Sequence, residues 1–530
     1  ISWAYVKTRR RRMTAPEKQP AAGQQSDKAN ADPPEFRYNP AIPKSDQLKS
    51  SISNLQPLLA PHIESFNFAL GEGIRLAIAD LYPSEIFDES TGRKISYWIE
   101  DVQILFPAKE KKESAQATNP ALYPHECRER GLTYRGQVEA KIAVRLSAGG
   151  PVEIIPRSLG YIPIMVKSLK CHLRHKKPEE LVKLKEEAFE MGAYFIVNGL
   201  ERIIRMIQVP RRNHPLAIIR NSFLKRGPEY TKYAIQMRCV RPDETSSTVY
   251  LHYLSDGTMK FRFAHRRQEF FLPVVLLLKA LVDTTDKEIF ERIMHEDWDN
   301  IALAERTENL LRAVAHLGVY TRAQCRAYIG ERFRVLLKDD PIIGQPHEVT
   351  NEVLGTRLLN AYIFAHLKED QEKFNLLIYM IEKLSSLVRG NILEDNPDSL
   401  SSMELLLSGH LFLMVFKERL QDWLDQVRTI YEKDVQRKST RINWTSASYL
   451  KSCFERAGTD MISKRMESFL STGNISTKTG LDLMQVSGYT VLAERLNFYR
   501  FISHFRCVHR GAFFAQMKTT AVRKLLPDNW

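Results

Sequence analysis

The chain is 530 residues long, 43% hydrophobic and 10% aromatic, so it has the apolar content to build several packed cores. Its net charge of +14 points to a polyanionic partner, nucleic acid before an anionic membrane surface. The longest apolar runs, 270–278 and 411–416, fall far below the roughly 20 residues that cross a bilayer, and six widely spaced cysteines with no Cys-x-x-Cys pair fit reduced thiols, not a disulfide framework.

Residues 1–50 are expected to be a disordered tail, because 16–43 is rich in Pro, Ala, Gln, Asp and Lys and nearly free of large aliphatics. The opening lacks the apolar stretch of a secretory signal. Its Arg9–Arg12 run precedes Met13, which reads as a start residue, so the run carries little weight.

Order is expected from about Ile52. The spacing of Ile63, Phe66, Leu70 and Ile74 predicts a helix over 62–78. Strand-like runs follow at 96–98, 102–106 and 134–146. In the last, Val138, Ala140, Ile142 and Val144 alternate with mostly polar neighbours. Further extended pieces lie at 154–155 and 160–166. A charged helix at 178–190 then leads into a β-rich run bounded by Gly192 and Gly199.

After Arg211 the pattern becomes more β. Val249, Leu251 and Tyr253 alternate toward Asp256-Gly257, and Met259, Phe261 and Phe263 alternate away from it, which is hairpin chemistry. Helices are predicted near 273–281, 286–295, 302–316 and 322–337, with a loop at 339–347. Two helical stripes follow, Phe374 to Val388 and Leu406 to Val427, and both read as core.

From Phe498 to the end there are six Arg/Lys (Arg500, Arg506, Arg510, Lys518, Arg523, Lys524), two His (His504, His509) and one acid, Asp528. Tyr499, Phe501, Phe505, Phe513 and Phe514 are interleaved with them. Cations neutralise phosphates and flat rings lie against bases, so the mixture suits a nucleic-acid surface. On charge alone, a solvated basic face over ordinary core aromatics fits equally well. Metal chemistry has little support. No Asp-x-Asp-x-Asp constellation exists, and Cys171, His172 and His175 fall short of the four ligands zinc needs. No Gly-Lys-Ser/Thr follows the glycines to make a phosphate loop.

The wording of the closing segment is more specific. Ser503-His-Phe-Arg-Cys-Val-His-Arg-Gly511 and its surroundings resemble the fork of the second-largest (β-like) subunit of DNA-directed RNA polymerase, in the form similar to polymerase I. The resemblance runs in family order through Glu64–Phe68, Tyr134–Gly136, Gly160–Ser168, Gly192–Gly199, Glu201, Arg205, Pro210–Asn213, Arg226–Tyr230 and Phe270–Pro273. With the predicted elements it implies an α+β, multidomain chain of mixed β-sheets with packed helices. A protrusion is expected at 51–210 and 351–464, an inserted lobe at 211–350, and a fork at 465–530. In the family a Gly-Phe-Leu-Cys-Pro stretch follows a tryptophan like Trp530, so the chain is expected to be the N-terminal part of a longer subunit.

By the same resemblance the fork lies beside the downstream edge of the transcription bubble and the RNA–DNA hybrid. Arg500, His504, Arg506 and Arg510 are expected to face the hybrid or the downstream strands, and Lys518, Arg523 and Lys524 to extend the same surface. A second cluster, Arg202, Arg205, Arg211 and Arg212, either touches upstream DNA or hybrid phosphate, or packs against a partner subunit. No catalytic residue, metal ligand or cofactor is expected within 1–530. The resemblance puts the magnesium aspartates in the largest subunit and the zinc cysteines beyond Trp530. The expected partners are template DNA, the hybrid, the largest subunit and other polymerase subunits, with no membrane, in the nucleus and nucleolus. The implied function is ribosomal RNA synthesis by the assembled enzyme, this part being inactive alone. The alternative is a free-standing nucleic-acid-binding or assembly module with no polymerase activity.

Overall fold

Among the described residues, alternating and helical apolar spacings build two large cores and one small cluster around Leu216, Ile218, Phe223 and Ala234. A computed structural model describes residues 55–88, 93–109, 119–146, 150–265, 268–295, 298–335, 350–397, 399–436, 446–458, 460–475, 483 and 487–509. The expected tail at 1–50 and the expected loop at 339–347 lie outside the described residues. The architecture is α+β, with helices packed on several sheets.

The first core opens with α1 (Ala60–Phe68), one π turn over Ala69–Gly73, and α2 (Ile74–Ala79), which together make the helix expected at 62–78. β1 (Ser84–Asp88), β2 (Arg93–Ile104), β3 (Arg135–Arg145) and β4 (Val152–Pro163) form an antiparallel sheet in that order, with α3 (Pro124–Arg130) in the β2–β3 connection. All four alternating positions of β3, Val138 to Val144, are buried. β4 joins the two extended pieces expected at 154–155 and 160–166 into one strand.

The charged helix expected over 178–190 stops early. α4 is only Pro178–Lys183, and Lys185 turns the chain with φ +59°. The cause is tertiary. That turn delivers the Glu186 carboxylate to the Arg128 guanidinium and to the His125 N–H (2.6 Å), and Glu190 to the Gly192 N–H (2.9 Å). Buried carboxylates need such partners, and that need outweighs local helix preference. β5 (Phe195–Val197), β6 (Leu200–Ile204) and β7 (Met206–Pro210) follow, with Arg205 alone between the last two. Gly192 has φ +77°, and a Cβ there would strike the Val166 carbonyl.

β7 leads into the second core. β8 (Leu216–Ile219), β9 (Tyr230–Val240), β10 (Ser246–Leu254), β11 (Met259–His265) and β12 (Gln268–Pro273) form one sheet in the order β12-β11-β10-β9-β8. The β10–β11 hairpin turns at Asp256-Gly257. Gly257 has φ +83°, and Asp256 Oδ1 accepts from the Thr258 N–H at 2.9 Å. α5 (Val274–Leu281), α6 (Asp286–Met294), α7 (Ile301–Ala315), α8 (Arg322–Phe333), α9 (Asn351–Tyr362) and α10 (Asp370–Arg389) supply the helical side of this core. The buried residues of α9 and α10, 351–389, thus pack in this second core. α8 and α9 cross so closely that a Cβ on Gly330 would collide with the Asn351 carbonyl, and one on Gly355 with the Arg326 carbonyl.

The chain returns through β13 (Met403–Leu406), antiparallel to β7 with Met403 opposite Pro210. α11 (Ser408–Gln436) then buries Leu413, Phe416, Leu420, Leu424 and Val427 in the first core. Rings from α1, β5 and α11 meet there: Phe66 lies 5.2 Å from Phe195 and 5.0 Å from Phe412. α12 (Ala447–Arg456) and α13 (Asp460–Thr472) complete that core. Charged groups bridge the two bodies. Lys417 of α11 pairs with both Asp80 and Asp243, and Arg241 lies 3.5 Å from Asp80.

Gly355→Ala is expected to lower stability by about 1–3 kcal/mol, the usual cost of overpacking, read as a lower urea midpoint. An unchanged midpoint would show that α8 and α9 separate freely.

Candidate nucleic-acid interface

The closing segment is placed by strand pairing. β14 (Thr490–Leu492) runs antiparallel to β6, and β15 (Val508–His509) runs parallel to β7. Between them lies α14 (Phe498–Arg506). Because β6 and β7 are separated only by Arg205, the helix is pinned at both ends beside that residue. Asn497 starts it: its Oδ1 accepts from the Arg500 N–H at 2.7 Å. Phe501, Ile502 and Phe505 form the buried face. His62 of α1 donates its Nε2–H to the Phe505 carbonyl at 3.2 Å, and its ring meets Phe505 edge-on at 5.2 Å. Burial pushes His62 down to about 4, so it sits there uncharged.

Arg500 and His504, one helical turn apart, share the other face. Arg500 Nε binds Glu494 at 2.7 Å, and this contact holds the Glu494 carboxyl below its usual range. The Glu494 backbone N–H in turn donates to His504 Nε2 at 3.4 Å. The His504 imidazole is held below its ordinary range, first by burial and then by the positive charges of Arg500 and Arg205, against the opposing pull of Glu494. Arg205 therefore belongs to the same cluster. Its backbone N–H is fixed to the Tyr489 carbonyl at 3.0 Å. Among the described residues no carboxylate is within ion-pair distance of its guanidinium.

Arg495 holds the turn before α14. It contacts Glu201 at 2.5 Å, Glu187 at 3.4 Å and Glu190 at 3.7 Å, and its guanidinium lies 4.6 Å from the Phe501 ring and 5.1 Å from that of Tyr194. Tyr194 also accepts a hydrogen bond from Arg128 (3.0 Å), which itself pairs with Glu186. The acids that shortened α4 thus anchor the basic turn. Sequence reading missed Arg495, because its carboxylate partners lie about 300 residues away and leave no local pattern, and it missed Glu494, whose partners Arg500 and His504 are local.

The residues singled out from sequence separate into groups. Arg500 and His504 come together, with Arg205 from the second cluster beside them. Arg506 sits partly exposed on the last turn of α14, where its charge complements the helix dipole. Arg510, Lys518, Arg523 and Lys524 lie outside the described residues. Arg211 is exposed at the end of β7, its guanidinium 3.5 Å from the Ser401 carbonyl. Arg212 is engaged by acids: Nε binds Glu404 at 2.9 Å, and both terminal nitrogens bind Glu244, at 3.0 and 2.9 Å. Arg202 lies on β6 opposite Leu492.

The profile of the RNA polymerase beta subunit family matches residues 57–454, and that of RNA polymerase Rpb2, domain 3, matches 491–530, which includes α14. The chain belongs to the RNA polymerase beta subunit family. It is 44% identical over 501 residues to DNA-directed RNA polymerase I subunit RPA2 of Neurospora crassa, covering 90% of this chain and 40% of that one. It is 43% identical over 504 residues to subunit RPA135 of Saccharomyces cerevisiae, with 91% and 41% covered. To subunit RPA2 of Homo sapiens it is 42% identical over 489 residues, with 92% and 41% covered. This β-subunit chain spans about two fifths of the length of these relatives.

Among the described residues no group of three or more His, Cys, Asp or Glu side chains is placed to hold a metal ion, and no helix is long and apolar enough to cross a membrane. Cys171 and His172 serve packing. The Tyr134 hydroxyl donates to Cys171 Sγ at 3.5 Å, and His172 Nε2 donates to the Pro107 carbonyl at 2.8 Å.

Two outcomes follow for the β-subunit helix α14. An unfolded histidine protonates near pH 6.5, whereas folded His62 does so only near 4. The unfolded state therefore binds the extra proton between those values, and stability falls as pH drops through that window, by up to about 3 kcal/mol. His62→Gln should flatten this loss in urea midpoints at about pH 7.5 and about pH 5. Equal pH sensitivity in both chains would clear His62. Separately, Arg495→Ala should speed amide exchange across 498–506 by about tenfold, the loss of a clamp worth roughly 1–2 kcal/mol. Unchanged exchange would show that the strands alone hold the helix.

Proposed function

We propose that this chain is part of the second-largest subunit of a DNA-directed RNA polymerase of the polymerase I type, and that it holds template DNA and the RNA–DNA hybrid during ribosomal RNA synthesis. One observation carries the reading. Arg205, Arg500 and His504 converge on the solvent side of α14, the helix carried by the second of the two family matches. Cations grouped in this way, with too few acids to balance them, suit a phosphate backbone. The similarity to polymerase I subunits over about nine tenths of the chain supports a polymerase role over a free-standing module.

On this reading the first core is the protrusion, built from residues up to 210 and again from 403. The second core is the lobe, extended from the 211–350 span to 211–397 by the packing of α9 and α10, and the fork begins after α13. The largest subunit supplies the catalytic magnesium, and this chain contributes grip, not chemistry. The assembled enzyme works in the nucleus and nucleolus. Among the basic residues, Arg205, Arg500, Arg211 and Arg506 face nucleic acid, with Arg510, Lys518, Arg523 and Lys524 continuing the surface. Arg212 serves the junction between the lobe and the protrusion.

The test is a binding titration of the full chain against a labelled RNA–DNA hybrid across salt. Log K is expected to fall linearly with log salt, and Arg500→Gln or Arg205→Gln each to reduce the slope by about 1. A flat salt dependence, or slopes unmoved by both variants, would overturn the assignment.

A further inference from the structure

We propose that His504 is an uncharged hydrogen-bond donor to nucleic acid, presenting Nδ1–H from between two phosphate-binding arginines. This rests on the binding role proposed for α14 and assigns a distinct kind of contact within it. The geometry fixes the tautomer. His504 Nε2 is the acceptor for the Glu494 backbone N–H, so the single proton of a neutral ring sits on Nδ1. Nδ1 has no partner among the described residues, and the side chain is only partly buried. A donor so placed is available to an incoming acceptor.

The groups facing His504 keep it neutral. Arg500 stands one turn before it on the same helix, Arg205 faces it from the β6–β7 junction, and Glu494 approaches from the preceding turn. Glu494 spends its carboxylate on Arg500 Nε, so the balance around the imidazole stays positive. A second proton would add a third cation to this cluster. The division of labour is then chemical. The arginines neutralise phosphate charge and release counterions, whereas the imidazole adds an oriented hydrogen bond that releases none. Its acceptor is an oxygen of the strand, either a phosphate oxygen or the ribose 2′-hydroxyl that only RNA carries.

The experiment measures affinity and salt slope of the full chain for an RNA–DNA hybrid and for an all-DNA duplex of the same sequence. His504→Ala should weaken binding by about 2- to 10-fold, the worth of one net hydrogen bond, with the salt slope unchanged. His504→Asn, whose amide N–H2 reaches the position of Nδ1, should restore most of the loss. His504→Lys should steepen the slope by about 1 instead. A loss confined to the hybrid identifies the 2′-hydroxyl as acceptor, and a loss on both duplexes identifies the phosphate. Either outcome supports the donor. Three results overturn it: no loss in His504→Ala, a slope reduced by about 1 in that variant, or no rescue by Asn at equal thermal stability. If the wild-type chain binds neither duplex, the binding role of α14 fails and not the tautomer argument. Arg500→Gln, measured in parallel, separates the two: a reduced slope there with an inert His504 sinks only the donor.

Discussion

Everything at the basic surface depends on the pairing of two consecutive strands with two segments from the far end of the sequence. β6 takes β14 on its edge and β7 takes β15, and the single residue between β6 and β7 is Arg205. A helix tethered at both ends to neighbouring strands has little freedom to drift, and the parallel β7–β15 contact fixes its exit direction. Strand side chains alternate, so sliding β14 by one residue would exchange its two faces and carry α14 off its seat. The cation cluster is therefore a product of backbone register before it is a product of charge.

Holding like charges together needs acids elsewhere, and the fold supplies them from beneath. Glu186, Glu190 and Glu201 form an acidic layer under the turn that carries Arg495, with Arg128 on its far side and Tyr194 between. Buried carboxylates left unpaired would cost several kcal/mol each, so this layer demands its arginines as much as the arginines demand it. Arg495 meets three carboxylates and Arg212 two, whereas Arg500 meets the exposed Glu494. This is why Arg495 and Arg212, equally basic in sequence, are structural, while Arg205 and Arg500 face outward.

Much of the fold was legible. The alternation in β3, the Asp256-Gly257 hairpin and the stripes of α10 and α11 each write their geometry into local spacing, and each folds as that spacing requires. What could not be read is non-local. α4 ends at Lys183 because Glu186 is wanted by Arg128, nearly 60 residues upstream. The same limit applies to the site. The basic residues near α14 were visible as a list, but the clamp that seats the helix, Arg495 on Glu201 and Glu187, joins residues about 300 positions apart. The membership of Arg205 was equally hidden, because nothing in its neighbourhood records that α14 will cross it.

The place where the second core joins the first has its own consequence. Its entry at Pro210 and its exit at Met403 are cross-strand partners, so the whole body hangs from one rung of a ladder. Evolution can enlarge, replace or trim such an appendage without moving the strands that seat α14, since a short turn could close the same rung. The cost of removal is electrostatic: Glu404 would lose both Arg212 and Arg238, and Lys417 would keep Asp80 but lose Asp243. Those orphaned groups, more than any lost apolar contact, set the terms on which this family can shed or exchange the module.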